Sequence, residues 1–173
     1  MSAVVVYESM FGATRQVAEA IARGIGRHTD VTLLNVNDAG IDFPVADLVL
    51  VGGPTHVHGL SSPTTRAEAV VWSKDSGRNL TLEKGAPGIG VREWLEDVTG
   101  TPGEFVAFDT RADAAALLTG SAAKHIEKAL KRAGGHAHSE ARSFLVHDNV
   151  LNPAELEQAE EFGELLAGRL VSS

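Results

Sequence analysis

The segment from Glu8 to Thr14 carries the residues best suited to hold a phosphate group. It joins a buried-strand pattern to a helical one, and the start of a helix presents unpaired backbone N–H groups with a partial positive charge. Ser9 and Thr14 add hydroxyl donors, Gly12 permits close backbone approach, and no Lys or Arg lies in the segment. The segment is therefore expected either to bind a phosphate monoester with neutral donors or to be an ordinary turn whose hydroxyls cap the helix.

Other phosphate-binding and nucleophile motifs are missing from the sequence. There is no G-x-x-x-x-G-K-[ST], no G-x-G-x-x-G after the first strand and no G-x-S-x-G, which argues against P-loop, dinucleotide-binding and hydrolase sites. The position at the end of the third strand is Gly52 or Gly53 rather than an Asp, which argues against a phosphate-accepting receiver domain. The sequence has no Cys, so disulfides, thiolate nucleophiles and Cys-ligated metal clusters are excluded.

Two pairs of histidines raise the question of a metal site. His56 and His58, like His136 and His138, are two residues apart, so each pair shares one face of a strand. Zinc sites take three or four ligands with supporting groups around them, and no matching carboxylate pattern accompanies either pair. We expect no metal site, and we expect His136 and His138 to face solvent on an outer strand.

Strand and helix patterns alternate along the chain. The predicted strands are Ala3–Tyr7, Val31–Val36, Asp47–Val51, Phe105–Phe108 and a broken region over His136–Glu140 and Ser143–Val146. Helical spacing covers Gly12–Ile25, Pro63 to about Trp72, Val91–Val98, the segment after Ser121 and the segment from Asn152 to Leu170. Ser62 and Ser121 are predicted N-caps, and Asn152–Glu155 resembles a capping box.

This alternation predicts an α/β fold, a doubly wound five-stranded parallel sheet with helices on both faces. Ser73–Gly88 is polar and is predicted to be an unusually long exposed loop. The loops that follow the strands should build the site at the switch point of the sheet. Three such loops are Glu8–Thr14, Pro54–Ser62 and Asp109–Asp113.

The segment Val5–Thr14, followed by Ala18 and Ile21, resembles the flavodoxin signature. That signature is an apolar pair, an aromatic, a hydroxyl residue, Gly-x-Thr, and then Ala and an aliphatic residue on the helix. Gly52–Gly59 and Phe108–Arg111 resemble the second and third flavin loops of flavodoxin-like proteins. The resemblance implies a single flavodoxin-like domain over residues 1–173, strand order 2-1-3-4-5 and FMN as cofactor.

The resemblance also implies which residues contact FMN. The phosphate would be held by Ser9, Met10, Phe11, Gly12, Ala13 and Thr14. The isoalloxazine ring would lie between one loop formed by Pro54, Thr55, His56, Val57 and His58 and another formed by Asp109, Thr110 and Arg111.

The chain departs from the electron-carrying flavodoxins in its aromatic residues. Those proteins usually place the ring between a Trp and a Tyr. Here Tyr7 lies in the first strand, and Trp72 and Trp94 fall in helical segments. We therefore expect no strong aromatic sandwich from the loops, with stacking by His56 or His58, or packing by Val57, in its place.

Arg111 is a candidate for favouring two-electron over one-electron reduction of FMN. A fixed cation at the N1–C2 edge of the ring would stabilise anionic reduced FMN, which favours two-electron reduction over a low-potential shuttle. The alternative is that Arg111 pairs with Asp109 or Asp113 at the surface.

The net charge of the chain indicates which kinds of partner it can bind. The chain has 15 Lys and Arg against 23 Asp and Glu, a net charge of −8, which suits basic protein partners better than nucleic acid or an anionic membrane. No targeting or membrane-inserting segment is recognisable, so we expect a soluble cytoplasmic protein.

Three functions stay open from the sequence. One is an FMN-dependent reductase that takes electrons from NAD(P)H or a reductase and passes them to quinones or a redox protein. The second is a one-electron carrier, and the third is a binding module that has lost flavin or binds it weakly. No segment marks a nicotinamide site, and the oligomeric state is not encoded in any motif.

Overall fold

The computed structural model describes residues 1–171. Its strands are β1 (Ser2–Tyr7), β2 (Asp30–Asn35), β3 (Leu48–His56), β4 (Gly59–Leu60), β5 (Glu104–Ala112), β6 (His136–Ala137), β7 (Arg142–His147) and β8 (Val150–Leu151). Its α-helices are α1 (Ala13–Ile25), α2 (Pro63–Ser73), α3 (Val91–Asp97), α4 (Ala116–Thr119), α5 (Ala122–Arg132) and α6 (Pro153–Val171), and Val36–Asp38 is a 3₁₀ helix.

The five longer strands pair in parallel in the order β2-β1-β3-β5-β7. This confirms the predicted doubly wound sheet and the order 2-1-3-4-5. The order reverses between β1 and β3, since β2 lies on one side of β1 and β3 on the other. The carboxyl ends of these two strands are therefore the place where a ligand site is expected in such a sheet.

The last part of the sheet differs from the prediction. The region predicted over His136–Glu140 forms only β6, which pairs with Glu104 and Phe105 at the start of β5. The fifth parallel strand is β7, which pairs with Phe108 to Ala112 further along β5. β6 and β7 thus pair with different halves of β5, and the residues between β6 and β7 are outside the sheet. Short antiparallel partners, β4 on β3 and β8 on β7, complete the sheet.

Two local predictions were wrong because side chains found other partners. Glu155 does not close a capping box, because its carboxylate accepts the Leu145 N–H of β7 at 3.0 Å. The His138 side chain is only 9% exposed, and its Nδ1 lies 2.6 Å from the Glu104 carboxylate. The predicted caps are confirmed: Ser62 accepts from Thr65 N and Ser121 from Lys124 N.

The core lies on both faces of the sheet, as the apolar run in β1 predicts. Val5 and Tyr7 belong to a buried cluster with α1 and α6, whereas Val4 and Val6 belong to one with α3 and α5. The alternation places successive side chains on opposite faces. Among the residues that the structure describes, no helix has the length and apolar content needed to cross a bilayer.

The long loop after α2 is fixed to the first site loop. Residues 74–90 form neither helix nor strand, in agreement with the predicted loop. The Glu83 N–H donates to the Met10 carbonyl at 2.9 Å, and the Glu83 carboxylate accepts from Arg15 Nε at 2.8 Å. The loop therefore supports the outer side of the segment that precedes α1.

Helices α1 and α6 touch through two glycines. A Cβ at Gly24 would lie 2.0 Å from the Glu160 carbonyl oxygen, and one at Gly163 would lie 2.2 Å from that of Ile21. These distances leave no room for a side chain, so the close crossing of the two helices depends on both glycines.

Replacing Gly163 with Ala should lower the free energy of unfolding by about 1–3 kcal/mol, because the added methyl forces the helices apart. The matched control is Gly168→Ala on the same helix, where a Cβ meets no described atom within 4 Å and Ala improves helix propensity by up to about 1 kcal/mol. Urea unfolding of both variants measures the difference. Equal stabilities would show that the close crossing does not matter.

Candidate functional site

A cleft of about 330 Å³ opens at the carboxyl ends of β1, β3 and β5. That volume is in the range of small-molecule sites. Its lining includes every predicted site residue except Gly12, His58 and Asp109; the lining residues that were predicted are Ser9, Met10, Phe11, Ala13, Thr14, Pro54, Thr55, His56, Val57, Thr110 and Arg111. Residues that were not predicted complete the walls: Thr65, Glu68 and Trp72 of α2, with Ala112, Val146, Asp148 and Asn149 opposite.

The first loop leaves the start of α1 open. Gly12, the residue before α1, has a φ of +98°, a left-handed conformation that favours glycine, and no side chain caps the helix in the described structure. Ser9 Oγ instead accepts the Gly12 N–H at 3.1 Å, which closes the loop on itself. The alternative of a hydroxyl-capped turn is therefore not realised. The first-turn amides of Ala13 and Thr14 have no partner within the helix.

Two buried threonine hydroxyls meet at the floor of the cleft. Thr14 Oγ1 and Thr110 Oγ1 are 2.7 Å apart, and the two residues are 2% and 4% exposed. Because each hydroxyl carries one proton, only one proton is used between them. The other proton is free to be donated to a ligand, next to the open end of α1.

The second loop is a strained hairpin. His56 of β3 pairs with Gly59 of β4, and the two residues between them, Val57 and His58, have φ of +42° and +70°. Two-residue hairpins need such values, and Asn and Gly usually supply them. Val57 is β-branched and 79% exposed, so neither its backbone preference nor burial explains its presence.

The two histidines of this hairpin differ in environment. His56 lines the cleft, its Nδ1 is 3.1 Å from Thr65 Oγ1, and burial, aided by nearby Arg66, lowers the pKa of its imidazole. His58 is exposed, and its backbone lies against Gly120, where a Cβ would come within 2.2 Å of the His58 carbonyl oxygen. His58 therefore fixes the hairpin to the turn before α5 rather than lining the cleft.

Asp109 holds the site together from beneath. It is fully buried, and its Oδ2 accepts from Ser121 Oγ at 2.7 Å, Ala123 N at 2.8 Å and Thr55 Oγ1 at 3.1 Å. Its side chain is thus committed to the start of α5 and to the second loop. Its other oxygen, Oδ1, has no hydrogen-bond partner among the described residues, and the flavin contact that the resemblance implies for Asp109 stays a prediction.

Arg111 points a cation toward the cleft without an acidic partner. Its guanidinium donates to the Ala114 carbonyl at 2.7 Å and to Thr119 Oγ1 at 3.2 Å. No ion pair with Asp109 or Asp113 occurs in the described residues, so the predicted alternative is wrong. Its buried Nε has no hydrogen-bond partner there either.

Comparison with known proteins identifies the family. The sequence model of the flavodoxin family matches residues 5–101. The chain belongs to the flavodoxin family. A comparison with curated proteins found no match.

Solved structures of flavodoxins share the fold. A flavodoxin from the domain Archaea is 19% identical with a TM-score of 0.65, and the match covers 99% of each chain. Flavodoxin 1 from Bacillus cereus is 14% identical, with a TM-score of 0.67 over 97% of this chain and 98% of that one. A flavodoxin described as a WrbA-like protein, from Agrobacterium tumefaciens, is 19% identical, with a TM-score of 0.59 over 99% and 98%. At these identities the likeness shows the fold alone.

In this flavodoxin-family chain, a helix adds a second aromatic side chain to the cleft beside Phe11 of the first loop. Trp72 in the last turn of α2 lines the cleft and is 42% exposed, with the Arg78 guanidinium 5.2 Å from its ring. Trp94 is 3% exposed in the core against Phe43. Trp72 was predicted to lie on a helix, but its position at the site was not predicted. The residues directly before it, Ala69, Val70 and Val71, are apolar, so no local pattern separates it from a core residue.

Replacing Val57 with Asn should raise the free energy of unfolding by about 1 kcal/mol, because Asn tolerates a positive φ that costs a β-branched residue about 1–3 kcal/mol. The matched control is Val45→Asn at a fully exposed valine without positive φ. Denaturant unfolding of the flavin-free protein gives the comparison. A gain at both positions, or at neither, would contradict a strained hairpin.

Proposed function

We propose that this chain binds FMN in the cleft and acts as a two-electron redox protein. The observation that carries the proposal is that one cleft brings together an uncapped helix start, two buried hydroxyls, the ring of Trp72 and an arginine that forms no ion pair in the described residues. FMN carries a phosphate dianion and a flat redox-active ring, and this set of groups suits both parts of the cofactor.

The phosphate end supports FMN through neutral donors. Ser9, Thr14 and Thr110 offer hydroxyls, and the first turn of α1 offers amides and the positive end of the helix dipole. The nearest arginine in sequence, Arg15, is already held by Glu19 and Glu83, each at 2.8 Å. The dianion would therefore be held by hydrogen bonds and the helix end rather than by an ion pair.

The ring end supports a flavin through Trp72 and the second loop. When bound, FMN would supply the redox chemistry, and the protein would supply orientation and electrostatics. Trp72, Val57 and His56 offer surfaces against which a flat ring could pack. With the pKa of His56 lowered by burial, that imidazole is neutral at pH 7 and adds no charge to this wall.

Arg111 favours a two-electron reductase over a one-electron carrier. Its cation forms no ion pair in the described residues, and a fixed positive charge near the ring stabilises a reduced, anionic flavin. We infer that electrons arrive from NAD(P)H or a reductase and leave to a quinone or a redox protein. A binding module without flavin is the competing function, and the titration below separates the two.

Titration with FMN tests the proposal and the part played by Trp72. The wild type should turn yellow on incubation with FMN, and its melting temperature should rise with FMN concentration. Trp72→Ala should weaken FMN binding by about tenfold, the loss of ring packing worth ~1.4 kcal/mol. Isothermal titration calorimetry measures both proteins.

The control for this titration is Val71→Ala, which removes an exposed apolar side chain, 65% accessible, from the neighbouring position that does not line the cleft. It should bind FMN like the wild type. A colourless wild-type protein whose melting temperature ignores FMN would favour the flavin-free binding module.

Replacing Arg111 with Ala should lower the two-electron midpoint potential of the FMN-loaded protein, because the reduced state loses a stabilising cation. Redox titration against dyes of known potential measures the change. Arg132→Ala, which removes an exposed cation from the far end of α5, is the control and should leave the potential unaltered. A potential that does not respond to Arg111 would remove the argument for two-electron chemistry.

A further inference from the structure

A buried carboxylate lies directly before the first site loop. Glu8 is 3% exposed, and it occupies the face of the sheet that Val4 and Val6 occupy in β1. An apolar side chain would continue that pattern. The strand therefore departs from its apolar alternation one residue before the loop Ser9–Thr14.

The Glu8 carboxylate is satisfied by groups from two other segments. One oxygen accepts the Ser61 hydroxyl, and the other accepts the Val91 N–H at 2.9 Å. Ser61 follows the second-loop hairpin, and Val91 begins α3. Glu8 thus joins the end of β1 to the second loop and to α3.

A buried arginine extends these contacts into a network. Arg66 is 3% exposed; it donates to Ser61 Oγ at 2.8 Å and to the Glu93 carboxylate at 2.7 Å. Glu93 in turn accepts the Gly90 N–H at 2.8 Å. We call the four side chains Glu8, Ser61, Arg66 and Glu93 the Glu8 network.

A neighbouring arginine fixes the backbone of the network. Arg92 donates to the Leu60 carbonyl at 2.6 Å and to the Ser61 carbonyl at 2.9 Å. None of the side chains in the Glu8 network lines the cleft. The network therefore acts on a ligand only through the loops that it holds.

The free-energy cost of burying the Glu8 network indicates its role. Burial raises the pKa of Glu8, against the opposing effect of Ser61, Val91 and Arg66, so the carboxylate occupies this position at a cost. Apolar residues of similar volume commonly stabilise a core as well as a buried ion pair does. A fully satisfied buried network instead fixes one arrangement of the segments that it joins.

We propose that Glu8 is a positioning residue that holds the loop Ser9–Thr14 in its phosphate-binding shape and so makes the site selective for FMN over riboflavin. The inference rests on the proposed function, since it assigns the phosphate of FMN to this loop. Riboflavin has the same ring without the phosphate. Contacts to the ring therefore contribute equally to both dissociation constants, and their ratio measures the contribution of the loop that binds the phosphate.

The test compares the affinities of FMN and riboflavin for the wild type, Glu8→Gln and Ser61→Ala. Glu8→Gln replaces one of the two accepting oxygens with an NH2 group, so the Ser61 hydroxyl and the Val91 N–H can no longer both be accepted, and Ser61→Ala removes the hydroxyl. FMN binding should weaken by about tenfold or more, and riboflavin binding by no more than about threefold. The double variant should be little worse than the more affected single variant, because both act through one contact.

A control separates positioning from general loss of stability. Ile126→Val trims a fully buried core residue on α5 and should lower the melting temperature while leaving the FMN-to-riboflavin ratio unchanged. Equal weakening of both flavins in Glu8→Gln, or an unchanged ratio, would overturn the proposal.

Amide hydrogen exchange of the flavin-free protein gives a readout that does not depend on flavin binding. Glu8→Gln should speed exchange in residues 9–14 relative to the wild type, with no change in α5. Unchanged exchange in that loop would overturn the positioning role even if FMN binds. Faster exchange in a protein that binds neither flavin would reject the proposed function and the selectivity, while showing that Glu8 orders the loop.

Discussion

The site depends on one constraint: the start of α1 must stay uncapped while it is packed against the sheet. Helix ends normally satisfy their first amides with a nearby side chain. Here Gly12 takes a left-handed conformation and Ser9 binds the Gly12 amide instead. The amides that follow keep their donor capacity, and Thr14 and Thr110 add a spare hydroxyl proton. A ligand with an anionic end can supply what the helix lacks.

Charge is distributed so that this donor set stays neutral. The cation nearest in sequence, Arg15, is held by two glutamates, and Arg66 is buried against Glu93. Arg111, which also lines the cleft, forms no ion pair in the described residues. A ligand in the cleft would therefore meet the dipole of α1 at the helix start and one arginine that is not held by a carboxylate. This difference arises because Arg15 and Arg66 form ion pairs with glutamates, whereas Arg111 forms none in the described residues.

The sequence was most informative where burial imposes a simple pattern. The runs in β1 and β3 are buried on both faces, so continuous apolar residues predicted these strands and the loops that follow them, whereas the strand order came from the resemblance to the flavodoxins. Prediction was incomplete where long-range pairing decides. No sequence pattern indicated that one oxygen of Asp109 would accept hydrogen bonds from the start of α5. Nor did any local pattern in α2 indicate that Trp72 lines the cleft.

Non-glycine residues with a positive φ are concentrated at the carboxyl end of the sheet. Most non-glycine residues with positive φ in the described chain lie in two hairpins there, Val57 and His58 in one, Asp148 and Asn149 in the other. Asp and Asn suit such turns, so the second hairpin is unstrained. Val and His do not, and the segments next to the first hairpin are held by the contact of Ser61 with Glu8 and that of Thr55 with Asp109. Sequences tolerate such conflicts mainly where function requires them. The residue type at Val57, which lines the cleft, is thus better explained by what it presents there than by the turn that it forms.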